Sequence, residues 1–279
     1  MSLHSIPTRA FTTLATALAL LAGAGGASSA TLEEIKARGV MTVATEDDYK
    51  PFEFVVDGKP MGLDHDLLAL YRKQVTWKVE QQIIPWSGLL PGVTTGKYDV
   101  ALTAVVVTAE RARRLDFTMP IADATQYYAA RADDASIRSV ADLDGKTVGV
   151  QAGGGSFAAL ANLRKLLAAS GGGVGRVVQY GSFPEAYQDL ANGRVDYVVN
   201  GVVNLTSLVK EQPQRFKLGS AVGVPTYAAW AVAKGNTTVL AQLDGFMAKA
   251  RADGSLHALQ EKWLGRAFKD LPTTAPLGE

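Results

Sequence analysis

The sequence predicts an α/β protein of two lobes joined by two crossovers, on three observations. Apolar, β-branched runs at residues 40–45, 77–84 and 98–107 alternate with segments of helical character, the pattern of an open sheet flanked by helices. A second alternating series, with strands at residues 147–151, 176–180 and 195–200, begins after an extended aromatic stretch at 121–131. An extended run at 226–233 and two closing helices, at about 239–252 and 255–264, have no sheet of their own and most simply return to the first series. A cleft between the lobes is then the expected place for a small ligand.

The first thirty residues stand apart. Arg9 supplies a positive start, residues 10–24 are apolar and rich in Ala, and Ser28-Ser29-Ala30 offers small residues for cleavage. Residues 1–30 therefore read as a secretory signal peptide, cut after Ala30. One Arg and no acid leave with it, so the 28 basic residues become 27 against 27 acidic ones. Such a neutral chain gives no electrostatic case for nucleic acid or anionic lipid. The absence of Cys excludes disulfides, thiolate metal sites, Cys nucleophiles and a lipid-attachment thiol. A soluble, monomeric protein of the periplasm is the expectation.

Taken in order, Thr31-Leu32-Glu33-Glu34 is a capping box opening a short helix that stops at Gly39. Residues 46–52 form a loop, and Gly62-Leu63-Asp64-His65-Asp66 opens a helix with both carboxylates at the favourable end of its dipole. Pro85-Trp86-Ser87-Gly88 turns the second strand into a helix that ends near Gly96. In the second series, Ala152-Gly153-Gly154-Gly155-Ser156 links a strand to a helix at about 157–169, and a further helix spans 184–191.

The stretch from Thr103 to Phe117 holds the chemistry. A buried strand runs into Thr108, a good N-cap, so a helix is expected just after it with Arg111 in its first turn. Strand end, helix N-terminus and guanidinium together would cradle a carboxylate or phosphate. No catalytic constellation accompanies it. His65 and His257 lie on separate helices without metal-type spacing, and Gly145-Lys146-Thr147 lacks the spacing and following helix of a phosphate loop. No cofactor or metal is expected.

Several stretches, in order, resemble the type 3 extracellular solute-binding proteins, the periplasmic polar amino-acid-binding components of ABC importers. They include Gly39-Val40-Met41-Thr42-Val43-Ala44-Thr45, Tyr49-Lys50-Pro51-Phe52-Glu53-Phe54, Trp86-Ser87-Gly88-Leu89-Leu90-Pro91, Thr108-Ala109-Glu110-Arg111 and Gly193-Arg194-Val195-Asp196. The resemblance implies the two-lobe periplasmic-binding-protein fold with two crossover hinge strands, near residues 121–125 and 225–229. Lobe 1 would be 31–122 plus 228–279, and lobe 2 would be 123–227. It further implies capture of an amino acid or amino-acid-derived carboxylate by hinge closure, and delivery to a membrane permease.

Residue by residue, the resemblance gives Arg111 the ligand's carboxylate and makes Tyr49 and Trp86 an aromatic pair around its side chain. Glu46 would touch the distal end, and Gly155 and Ser156 would close from lobe 2. Departures concern the ammonium. The positions five and seven before the Arg, usually a small hydroxyl residue and Gly, are Val106 and Ala104. The usual lobe 2 Asp is Gly201, with Asn200 beside it. The ligand is therefore expected to keep a carboxylate but to lack a standard free α-ammonium, or to present it to Glu46 or Asn200. The rival from another class is a periplasmic dehydratase of the same fold acting on a prephenate-like carboxylate. Its proton donor is wanting, since the loop 152–156 has no acid or His.

Overall fold

The structure, a computed structural model, describes residues 29–277. The signal peptide expected at 1–30 lies almost wholly outside them. In chain order the elements are α1 (Leu32–Arg38), β1 (Val40–Glu46), β2 (Asp48–Tyr49), β3 (Glu53–Val56), β4 (Lys59–Met61), α2 (Leu63–Arg72), β5 (Lys78–Ile84), α3 (Trp86–Thr94) and β6 (Val100–Val106). There follow β7 (Leu115–Phe117), β8 (Ala122–Asp123), β9 (Gln126–Arg131), β10 (Val148–Gln151), α4 (Gly155–Ala168), β11 (Val177–Tyr180), α5 (Phe183–Ala191) and β12 (Tyr197–Gly201). The chain closes with α6 (Val202–Glu211), β13 (Phe216–Ala221), β14 (Tyr227–Ala233), α7 (Thr237–Ala252) and α8 (Ser255–Leu264).

Each lobe is built on one sheet. The first has the strand order β5-β1-β6-β14-β7, with β8 on β14, and the second β11-β10-β12-β9-β13. In the first, β1 runs parallel to β5 and β6, with Val43 opposite Val100 and Glu46 opposite Ile84. In the second, β10 runs parallel to β11 and β12, while β9 is antiparallel to β12. Parallel strands need helices on both faces, which is why β6 is buried along its whole length and reads as an apolar run broken only by Thr103.

Between the lobes the two crossovers lie side by side. Ala122 pairs with Ala228 and Asp123 with Tyr227, and the Ala124 N–H donates to Thr226 O at 2.9 Å. The late strand β14 joins the first sheet beside β6, as expected. The capping box at Thr31 and Glu34 is present, and Gly39 ends α1 at φ +74°.

Two expectations need correction. The helix expected after Thr108 is a single 3₁₀ turn, Arg111–Arg113. Leu115–Phe117 is instead drawn into the first sheet as edge strand β7, pairing Leu115 with Ala233, which stops a helix from extending. The expected loop at 46–52 includes β2, part of a small antiparallel sheet β2-β3-β4. Asp64 and Asp66 stand in the first turn of α2 as expected; Asp64 is in addition fully buried, and its Oδ1 accepts from the Trp230 indole at 2.6 Å. Among the described residues no helix is long and apolar enough to cross a membrane.

Candidate functional site

The parallel strands of each lobe end toward the other lobe. Glu46 ends β1, Trp86 follows β5, and Val106 ends β6; across the gap stand Gln151 at the end of β10 and Asn200-Gly201 at the end of β12. In open α/β sheets the carboxyl ends of strands are where ligands bind, because loops there carry side chains and unpaired backbone groups. Here two such edges face each other.

Arg111 sits at their junction. Its backbone N–H is held by the Thr108 hydroxyl at 3.2 Å, and the side chain folds back over the end of β6. One guanidinium nitrogen donates to Val106 O at 2.7 Å and the other to Gly153 O at 3.0 Å, so the cation spans both lobes. Its centre lies 5.0 Å from the Trp86 ring centroid, a cation–π distance. Burial pulls its pKa down to about 10, which leaves it charged at neutral pH. Arg113 and Arg114 are exposed.

Glu46 is 3 % exposed and accepts a hydrogen bond from the Gln151 side-chain amide of the other lobe. Burial raises its pKa to about 8; Gln151 and Arg111 oppose the rise, while Asp47 and Asp48 add to it. The group therefore carries a proton at neutral pH. Tyr49 Oη donates to Asn200 Oδ1 at 3.2 Å, and Asn200 in turn donates to Tyr187 Oη at 2.8 Å. The Tyr49 ring stacks on Phe52 at 5.8 Å and meets Phe183 of the second lobe at 5.6 Å. Tyr49 is thus flanked by aromatic neighbours from both lobes, whereas the Trp86 face meets Arg111. The exposed pair Lys50–Glu211, at 2.9 Å, also crosses the gap but contributes little in water.

The glycine loop makes this close approach possible. Gly153, at φ +65°, turns its carbonyl to Arg111. A Cβ on Gly155 would stand 2.6 Å from Val106 Cγ2 of the other lobe. Gly155→Ala is therefore expected to leave the fold intact, since Gly155 has helical geometry at the start of α4, but to stop the lobes short of this arrangement. Such overpacking costs about 1–3 kcal/mol of closed-state stability. Small-angle scattering of the liganded variant should show a larger radius of gyration, partly recovered in Gly155→Ala/Val106→Ala. Ser156, by contrast, is 1 % exposed and its hydroxyl accepts from the Gln151 backbone N–H at 3.1 Å, so it holds the loop rather than facing the gap. Ala104, 4 % exposed, packs in the apolar core.

Below the first lobe's edge lies a buried carboxyl pair. Glu53 accepts from the Thr103 hydroxyl and faces Asp64. Glu53 Oε2 and Asp64 Oδ2 have no other partner, an arrangement satisfied by one shared proton. Burial raises both pKa values. His65 meets Gln81 at 2.8 Å and burial lowers its pKa to about 4, so it is a neutral structural residue. Among the described residues no cluster of His, Cys, Asp or Glu could hold a metal ion.

Two cavities adjoin the junction. One of about 290 Å³ opens beside Asp48, Lys50, Tyr187, Asn204 and Glu211. The other, of about 400 Å³, lies toward the crossovers between Val106–Glu110, the small residues Gly155, Ala158 and Ala159 of α4, and Gly223–Thr226, with Gln126 on its wall. Three residues of this region escaped the sequence reading: Gln151, Gln126 and Asn204. Each is an amide outside any recognisable motif; Gln151 and Asn204 have partners distant in the chain, Glu46 and Lys50, whereas Gln126 donates to Ala124 O two residues before it.

Residues 41–266 match the family described as bacterial extracellular solute-binding proteins, family 3. The chain belongs to that family. Among family relatives, this solute-binding chain is 30 % identical to the L-cystine-binding protein TcyJ of Escherichia coli strain K12, over 89 % of this chain and 92 % of the relative. Of solved structures, an ancestral arginine-binding protein bound to arginine superposes with a TM-score of 0.71 at 34 % identity, covering 81 % of this chain and 98 % of that one. The ancestral amino acid-binding protein AncCDT-1, a precursor of cyclohexadienyl dehydratase, gives 0.74 at 29 % identity, over 84 % and 100 %. The two-lobe architecture of this solute-binding protein is thus that of known amino-acid-binding proteins.

Proposed function

We propose that the chain is the soluble substrate-binding component of an ABC importer, exported to the periplasm, which captures an amino acid or amino-acid-derived carboxylate by hinge closure. The hinge divides it into lobe 1, residues 31–122 plus 228–279, and lobe 2, residues 123–227. The observation carrying the reading is Arg111: a charged guanidinium on an aromatic face, reaching a backbone carbonyl of each lobe. A carboxylate entering the gap would replace two carbonyls with a bidentate ion pair, which is stronger and planar. Ligand bound to both lobes stabilises the closed form by its extra contacts there, and a permease that recognises that form completes transport. Isothermal calorimetry with amino acids and their carboxylate derivatives, paired with small-angle scattering, tests this. Micromolar or tighter binding with compaction is the expected result, and binding without compaction contradicts hinge capture.

One feature bears on the dehydratase reading: burial raises the Glu46 pKa to about 8, which favours a protonated carboxyl at the gap. Prephenate incubated with the purified protein should remain unchanged if the chain is a carrier; appearance of phenylpyruvate reverses the assignment.

A further inference from the structure

The charge inventory of the gap is unusual for a zwitterion. Among the described residues at the facing strand ends, Arg111 is the cation that bridges the lobes, while Glu110 and Lys165 are exposed residues lining the adjoining groove. Glu46 is neutralised by its proton, and the charge left on the Glu53–Asp64 pair is sealed beneath Thr103 and tied to Trp230. Asp48, Lys50 and Glu211 face the outer cavity. The corner around Gly201 is lined by neutral groups. Gly201 has φ −56°, which any residue adopts, and the room a side chain would take is filled by Asn204, whose Oδ1 lies 2.7 Å from the Cβ position. Asn204 Nδ2 donates to Lys50 O at 2.8 Å, which leaves Oδ1 turned to Gly201.

Gln126 completes the corner, its Nε2 3.7 Å from the same Cβ position. It is 2 % exposed and donates to Ala124 O at 2.8 Å; because a carbonyl only accepts, the amide orientation is fixed. Its Oε1 is buried without a hydrogen-bond partner among the described residues. An unpartnered buried acceptor calls for a donor. An ammonium placed here would be buried among neutral amides with Arg111 in the same gap, the uncompensated case that desolvation penalises. An amide N–H needs one acceptor and no counter-charge. Gln126 also walls the 400 Å³ groove, where Val106, Ala158, Ala159 and Val224 stand beside Thr108, Asn162, Glu110 and Lys165, so a group attached to that nitrogen has somewhere to go.

We propose that the ligand is an N-acylated amino acid, bound as a monoanion: carboxylate on Arg111, amide N–H on Gln126, acyl group in the groove beside α4. This rests on the binding-protein reading above and narrows it. The test is calorimetry at pH 7 with the twenty amino acids and their N-acetyl forms as matched pairs. At least one N-acetyl member should bind tenfold or more tightly than its free partner. No acetylated member reaching tenfold over a free partner that binds, or no binding by any acetylated member, overturns the proposal. In the first of those cases compaction on binding would keep the carrier reading intact, so the two failures are distinguishable. Gly201→Asp, checked for folding by thermal melting, should shift the preference at least tenfold toward the free amino acid. A variant that melts normally yet keeps the wild-type preference also overturns the proposal.

Discussion

Arg111→Ala is expected to abolish ligand-induced closure, whereas Arg114→Ala leaves it nearly unchanged. Removing the guanidinium takes away the cation that bridges the lobes and leaves an incoming carboxylate desolvated without a partner. Truncating one member of a buried, hydrogen-bonded charge pair costs about 2–5 kcal/mol, or roughly 30-fold to several thousand-fold in Kd. The ligand-free protein is affected differently. Val106 O and Gly153 O lose a donor, so the lobes also lose a bridge that needs no ligand. Arg111→Lys should recover little, because an ammonium cannot present the planar fork or cover the Trp86 face in the same way. Arg114 is exposed, and its removal should change Kd by less than about threefold, within the range of surface substitutions. Calorimetry and scattering on both variants check this. Equal losses would return the basic stretch to an ordinary solvated turn.

Closure should also take up a proton. Burial in the closed form lifts Glu46 from its ordinary 4.5 to about 8. Asp47 and Asp48 reinforce the rise, and Gln151 and Arg111 oppose it. The sign follows from linkage: a carboxyl whose pKa is raised favours the closed form fully below pH 4.5, and that favour is lost as pH rises toward 8. Across this window the closed-to-open ratio should fall by up to about tenfold per pH unit. Glu46→Gln keeps the oxygen that accepts from Gln151 but cannot titrate. Its closure, followed by energy transfer between labels on the two lobes, should be nearly flat from pH 5 to pH 8, while the parent falls. A parent protein equally flat would mean that Glu46 stays solvated when the lobes close.

The elements legible from sequence were those with local punctuation. Thr31 and Glu34 mark a helix start, Gly39 its end, and apolar runs mark the parallel strands because both their faces are covered. Helix α6 was missed because it follows β12 without a break: its N-cap is Gly201 rather than Ser or Asp, and Val202-Val203 continues the β-branched run. Strand β7 was hidden for a different reason. Leu115-Asp116-Phe117 is too short to announce itself and is fixed by pairing with a strand more than a hundred residues later. Of the site, Arg111 could be found because a cation after a buried strand is conspicuous. Gln126 and Gln151 could not, since an amide within a strand disturbs no pattern, and Gln151 acquires its role only when Glu46, 105 residues away in the chain, is brought beside it.

The two crossovers are hydrogen-bonded to each other, Ala122 to Ala228 and Asp123 to Tyr227. Two independent tethers would let one half of the molecule swivel and slide against the other. A bonded ribbon resists both, since either motion would shear its ladder, and it leaves bending as the soft coordinate. The approach of the halves is then described by one angle. A ligand of the wrong bulk arrests that angle early and cannot be accommodated by a sideways step, so size is converted into a single reading that a membrane partner can gauge from outside.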